Sequence, residues 1–322
     1  MTGHPSCGRT GPGPLPLAII AVTHDSSAEM EAWLGAVDAV RERVPAEICV
    51  VDSGSSPADR ERMLEMARGR ADHVILRPNI GYGAACNAGA AATTAPVLLF
   101  TNPDTRLISV PESALAPGML EGTILSGYAV DSAGRLPAGF AAMPFARRQA
   151  EQLLLGRRAR TFARAQTDPM WVSGGALMIA RDDLRRLGGW AEDYFLYFED
   201  ADLCLRHRQR GGGIALSREL VVEHPRGADR SHVEGLVLRS GRRFVARHQG
   251  RRYTVALWLL LVVGYLPRRV ALGALRRLRA PGSASPPLLR LVLDALVPSR
   301  VERRLGVGSP RDASLGRHGT GC

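Results

Sequence analysis

Leu17–Val22, Ile48–Val51, Val74–Leu76 and Val97–Phe100 are short apolar runs bounded by polar or turn residues, with the helix-length stretches Ala28–Arg43, Pro57–Arg70 and Gly83–Thr94 between them. Runs that are apolar throughout, rather than alternating, belong to strands covered on both faces, as in a parallel sheet. The strand–helix repeat therefore predicts an α/β fold built on a doubly wound, mostly parallel sheet. In such sheets ligands collect beyond the carboxyl ends of the strands.

The residues at four successive strand ends are polar: Thr23-His24-Asp25, Asp52-Ser53-Gly54-Ser55, Arg77-Pro78-Asn79 and Thr101-Asn102-Pro103-Asp104. Asp52 can accept hydrogen bonds from a base or ribose, with Ser53 and Gly54 as loop donors; a helix N-cap at Ser55 or Ser56 ahead of Pro57 accounts for the same loop. Gly81-Tyr82-Gly83-Ala84-Ala85-Cys86-Asn87 follows the third run and opens a helix, where backbone N–H groups can approach a phosphate. Tight helix-to-sheet packing explains those glycines almost as well. The dinucleotide fingerprint fails because Cys86 stands where its third glycine is needed, and no P-loop is present. Pro103 ends the fourth strand, so Asp104 faces the ligand edge, either as a ligand for Mg²⁺ or Mn²⁺ or as part of an Asx turn.

Further along, Trp171–Ala180 reads as a strand carrying Ser173-Gly174-Gly175, and Asp182–Leu187 as a short helix ending at Gly188-Gly189. Arg147–Arg164 reads as a basic amphipathic helix. An aromatic run, 194–198, then delivers Glu199, Asp200 and Asp202 to the start of a helix ending near Gly211. Three crowded carboxylates repel one another, which calls for a cation, a metal or a proton-accepting task; complementing a helix dipole is the plainer explanation. His224 follows another strand, where a neutral imidazole can ligate a metal.

The net charge of +11 is uneven: from Arg239 onward 17 Arg face only Asp294, Glu302 and Asp312. The basic character belongs to the tail and concerns what the tail touches. Within it, Tyr253–Leu266 is apolar and flanked by Arg251-Arg252 and Arg268-Arg269. At 14 residues it is short for a span of about 20, and it suits either an interfacial helix on anionic lipid through residues 251–279 or a buried helix. Aromatic content of 5% and the absence of Arg–aromatic interleaving argue against nucleic acid. Cysteines at 7, 49, 86, 204 and 322 lack metal or disulfide spacing, which fits a reducing, cytoplasmic compartment. Residues 1–16 read as a disordered leader.

Taken in order, Val50-Val51-Asp52-Ser53-Gly54-Ser55-Ser56, Asn79 with Gly81-Tyr82-Gly83 and Asn87, Thr101-Asn102-Pro103-Asp104, Ser173-Gly174-Gly175-Ala176 and Glu199-Asp200-Ala201-Asp202-Leu203 resemble the family 2 inverting glycosyltransferases of the GT-A fold, most closely the bacterial rhamnosyltransferase-like group. His224 and Phe244–Gly250 match the later part of the pattern, so the similarity runs from about Leu17 to Gly250. The resemblance implies a GT-A domain over 17–250, with a nucleotide-sugar half (17–128) and an acceptor half (129–250), followed by a helical basic appendage, 251–322. It implies a nucleoside-diphosphate sugar donor and a glycan or lipid-linked acceptor in envelope or polysaccharide synthesis. Donor residues would be Thr23, Asp52, Ser53, Gly54, Asn79, Gly81, Tyr82, Gly83, Asn87 and Asn102, with Asp104 and His224 at a divalent cation. Asp200 would be the base, supported by Glu199 and Asp202, with Arg206 as charge partner. The rival readings are a sugar-nucleotide nucleotidyltransferase, and a membrane or nucleic-acid binder working through the tail.

Overall fold

The structure is a computed structural model and describes residues 15–130, 140–141, 143–155, 171–223 and 234–265. Its main sheet has eight strands in the order β3-β2-β1-β4-β9-β6-β10-β5. These are β1 (Leu17–Thr23), β2 (Ala46–Ser53), β3 (His73–Arg77), β4 (Val97–Thr101), β5 (Arg106–Ser109), β6 (Thr123–Val130), β9 (Ala176–Ala180) and β10 (Gly213–Glu223). The expected doubly wound region is present: β3, β2, β1 and β4 are mutually parallel, and α1 (Ser27–Arg41), α2 (Pro57–Ala67) and α3 (Tyr82–Ala92) connect them. Beyond β4 the sheet becomes mixed, because β9 runs antiparallel to both β4 and β6, and β5 antiparallel to β10. One continuous sheet therefore carries both halves of the domain.

Period-2 alternation sends successive β1 residues to opposite faces. Leu17, Ile19 and Ala21 join Trp33, Leu34 and Val37 of α1 in one core, while Ala18 and Ile20 join Ala85 and Cys86 of α3 in the other. Both cores are closed, which is why the strand needs no polar residue. A Cβ at Gly89 would stand 2.5 Å from Ile20 Cγ2, so only glycine lets α3 settle this closely on the sheet. Buried Arg181 completes that helix. Its Nε–H donates to Ala95 O at 2.6 Å and its Nη2–H to Thr93 Oγ1 at 2.9 Å, and Nη1 reaches Ala90 O. A guanidinium at a helix C-terminus satisfies orphan carbonyls and opposes the dipole's negative end.

Two expectations are corrected. Val74–Leu76 is not a buried strand, because β3 lies at the sheet edge and exposes Val74 and Leu76. Trp171–Ala180 is two strands: β8 (Trp171–Val172) pairs with β7 (Phe140–Ala141) in a separate two-stranded sheet, while β9 joins the main one. The break falls at Gly174-Gly175, where a Cβ would stand 3.3 Å from Trp190 or 3.1 Å from Asn102 Nδ2, so the chain turns where it must pass close to both. The basic helix is α4 (Ala146–Leu155), and the rest of its expected span lies outside the described residues, as do the leader and 266–322. The remaining helices are α5 (Arg181–Leu187), closed by Gly188 at φ 80°, α6 (Glu199–Gln209), α7 (Glu234–His248) and α8 (Arg251–Leu259), which continues as a π-wound turn, Leu260–Tyr265.

Replacing Arg181 by Met leaves three oxygens without their donor in a closed core. The expected loss is about 3 kcal/mol in urea unfolding, the scale of buried charge-assisted hydrogen bonds. A loss below about 1 kcal/mol would mean that water or a rotated Thr93 replaces the guanidinium.

Candidate active site

At the carboxyl ends of β1 and β2, Thr23 and Asp52 are paired in register and both fully buried. Asp52 Oδ1 accepts Ser55 N–H at 3.2 Å and Oδ2 accepts Arg60 Nε–H at 2.7 Å, so this carboxylate holds the Ser53–Ser56 loop in place. The loop fits no side chain at Gly54, which has φ 75° and whose Cβ would stand 2.7 Å from Asn79 N. Ser53 Oγ–H donates to Asn79 Oδ1 at 3.3 Å, and His24 Nδ1–H donates to Ser53 O at 2.9 Å. Thr23, Asp52, Ser53, Gly54 and Asn79 are thus brought together as expected. Thr23 Oγ1 is buried without a hydrogen-bond partner, a cost of about 1–3 kcal/mol.

The glycine loop packs closely against the segment at residues 190–195. Gly81, at φ 111°, lies where a Cβ would meet Phe195 O at 2.8 Å, and the Tyr82 N–H is donated to that carbonyl at 2.9 Å. Gly83 faces Ala191 O, where a Cβ would stand at 2.9 Å. Asn87 Nδ2–H donates to Trp190 O at 3.0 Å while its Oδ1 accepts Trp190 N–H at 2.9 Å. Gly81, Tyr82, Gly83 and Asn87 therefore fasten α3 to residues 190–195, and the Tyr82 N–H is engaged there.

That fastened segment is the strap leading into the acidic cluster. Tyr197 and Phe198 have φ 68° and 73°, a left-handed conformation costing roughly 1–3 kcal/mol at each side-chain-bearing residue. Contacts over-determine it: besides Phe195 O, Leu196 O accepts Ser240 Oγ–H at 2.8 Å, and Tyr194 O–H donates to Asp202 Oδ1 at 3.4 Å. The reversal turns Asp200 toward Gly174, whose N–H it accepts at 3.3 Å, while Oδ1 accepts Ala201 N–H at 2.8 Å.

The three acids differ sharply. Burial raises Asp200 to about 6 against the backbone donors that lower it. Glu199, buried with Oε2 unpartnered, is pushed well above the carboxylate range by burial and then by Asp200. Asp202 is fully buried yet held low, since His248 Nε2–H at 2.8 Å and Arg206 Nε–H at 2.6 Å outweigh desolvation, with Arg247 Nε at 3.4 Å. The expected Arg206 partner is present. Asp202 is closed to any acceptor, so its support is exerted through the helix it anchors.

Gly174 links the two sides of the site. It donates to Asp200, its carbonyl accepts Tyr82 O–H at 3.1 Å, and the adjoining Gly175 passes Asn102 Nδ2. Asn102 begins the turn closed by Thr105 N–H to Asn102 O at 3.1 Å, and that turn carries half-buried Asp104. His224 lies outside the described residues, but Glu223 pairs in register with Arg106, so β10 ends beside the Asp104 turn. Among the described residues no cluster of three metal-ligating side chains occurs. Arg60, Tyr194 and His248 were given no role from the sequence, although Tyr194 lies in the aromatic run 194–198 and His248 in the matching stretch Phe244–Gly250.

Residues 20–108 match the family model for glycosyl transferase family 2. The N-acetylglucosaminyl-diphospho-decaprenol L-rhamnosyltransferase of Mycobacterium tuberculosis (strain CDC 1551 / Oshkosh) is 27% identical over a 221-residue alignment covering 58% of this chain and 68% of that relative. Among solved structures, glucosyl-3-phosphoglycerate synthase from Mycobacterium tuberculosis, in complex with phosphoglyceric acid, aligns with TM-score 0.50 and 18% identity over 74% of this chain and 81% of that one. A mannosyltransferase from Pyrobaculum calidifontis, in complex with GDP-Man and Mn²⁺, aligns with TM-score 0.48 and 16% identity over 90% and 84%. The fold is that of the GT-A glycosyltransferases.

Burial favours the neutral form of Glu199, so Glu199→Gln, which keeps the shape without the charge, should leave stability within about 1 kcal/mol of native, measured by urea unfolding near neutral pH. A severe loss would mean that the buried group is charged. Asp200 gives a second check. A carboxyl raised on folding binds its proton more tightly in the native state, so the native fold loses stability as pH rises from about 4, the unfolded value, through about 6. The stability of Asp200→Asn relative to native should therefore increase across that window; a difference independent of pH would contradict the raised value.

Proposed function

We propose that this chain, which carries a glycosyl transferase family 2 domain over residues 20–108, is an inverting glycosyltransferase with Asp200 as its general base. One observation carries this reading: a half-buried carboxylate with a pKa near 6 stands across Gly174-Gly175 from the strand end bearing Asn102 and Asp104. A base poised near working pH can take a proton from an acceptor hydroxyl while staying mostly ionised.

The donor is a nucleoside-diphosphate sugar lying along the ends of β1, β2 and β4. Thr23 and His24, held by the Asp52–Arg60 loop, face its nucleoside, with Ser53, Gly54 and Asn79 shaping that wall. The acceptor hydroxyl approaches Asp200, gives up its proton, and attacks the anomeric carbon from the side opposite the departing diphosphate. The bond from that carbon to the leaving oxygen breaks as the new one forms. Asp104, with Asn102 beside it and His224 where β10 ends, fits a divalent cation of the kind held by one or two side chains plus substrate phosphates. Such a cation, Mg²⁺ or Mn²⁺, supplies positive charge to the diphosphate as it leaves. Glu199 keeps the neighbourhood apolar, and Asp202 fixes the helix.

The rhamnosyltransferase relative supports rhamnose as the sugar and a polyprenyl-diphosphate-linked glycan as the acceptor, hence work at the cytoplasmic face of the membrane in envelope synthesis. Incubation with UDP-, GDP- and dTDP-sugars, with and without Mn²⁺, should release nucleoside diphosphate. A requirement for nucleoside triphosphate would instead mark a nucleotidyltransferase.

Asp200→Asn should lower kcat by about 10²–10⁴-fold while keeping the thermal shift produced by the donor, and native kcat should rise with pH through about 6. Lost donor binding with unimpaired turnover of what binds would move Asp200 to the donor side.

A further inference from the structure

We propose that the outward face of α8 and the turn after it, carrying Val255, Trp258, Leu259 and Val263, docks on an anionic lipid bilayer. The inward side packs Leu257 against Val245 of α7 and Ala146 of α4, and Leu261 is also buried. A helix with one buried side should turn polar residues to water on the other. Here every residue from Val255 to Val263 is apolar, and Val255, Trp258, Leu259 and Val263 are 47%, 37%, 50% and 73% exposed. Elsewhere among the described residues, large exposed apolar side chains are scattered: Val74 and Leu76 on the edge strand, Ile108 and Met119. A continuous apolar face of this kind marks an interaction surface.

Charge selects the partner. Arg251 and Arg252 stand exposed where the helix begins, with the Arg252 guanidinium 4.9 Å from the Tyr253 ring centroid, and Arg268, Arg269, Arg276, Arg277 and Arg279 follow in sequence. A second copy would bring two strongly basic segments together, whereas an anionic lipid surface neutralises them at about 1 kcal/mol per Arg. Tyr253 and Trp258 suit the boundary between headgroups and acyl chains. No helix among the described residues is long and apolar enough to cross a membrane. α7, on which this helix packs, also carries His248, the partner of Asp202, so a docked α8 is tied to the helix that holds Asp200. The inference extends the function proposed above, in which a lipid-borne acceptor is met at a membrane, but its test needs no sugar nucleotide.

The full-length chain is sedimented with vesicles of phosphatidylcholine alone or mixed with phosphatidylglycerol. Binding should require the anionic lipid and weaken with salt, and brominated acyl chains should quench tryptophan emission in the native chain but not in Trp258→Phe. The triple variant Val255→Ser, Leu259→Ser, Val263→Ser should partition at least about tenfold more weakly while its circular dichroism and donor-induced thermal shift stay native. Equal partitioning of the variant, quenching that survives Trp258→Phe, or a lipid-indifferent chain that dimerises through this face would each overturn the proposal. Docking without sugar transfer would sink only the enzymatic reading, and transfer without docking only this one.

Discussion

The site depends on the conformation of two residues, Tyr197 and Phe198, held left-handed without the help of glycine. Their reversal lets α6 begin where it does, with Asp200 against Gly174 and Glu199 sealed beneath it. The strain is tolerated because the strap is fastened by Phe195 O to α3, Leu196 O to α7 and Tyr194 to Asp202. An isolated peptide would relax; a strap with three attachments keeps its shape.

The same burial divides labour among three carboxylates within one helical turn. Glu199 is buried with a like charge beside it, which pushes its carboxyl well above the usual range. Asp200 has two backbone donors that partly offset burial, and it settles near 6. Asp202 has His248 and Arg206, remains ionised, and anchors the helix to α7. Removing a partner from such a buried pair is costly, so Asp202 reads as structure in the service of Asp200.

Much of this was legible in the residues. The strand ends at Thr23, Asp52 and Asp104 followed from apolar runs ending in polar turns, because strands covered on both faces carry that pattern wherever they occur. The Gly81 loop is open to two readings in the sequence. Glycine at a helix start is needed equally for a phosphate and for a neighbouring carbonyl, and only the fold reveals that Phe195 O fills the place. The break at Gly174-Gly175 was missed for a similar reason, since the close passages past Trp190 and Asn102 are long-range. The edge position of β3 likewise comes from strand order, which local sequence does not encode.

The account stands or falls on Asp200 being a carboxylate tuned by burial. Its titration can be followed directly by carbon-13 NMR of aspartate-labelled protein, with the resonance assigned by its loss in Asp200→Asn. A midpoint of about 6 is predicted. A midpoint near 3.9, the value of an exposed aspartate, would contradict it.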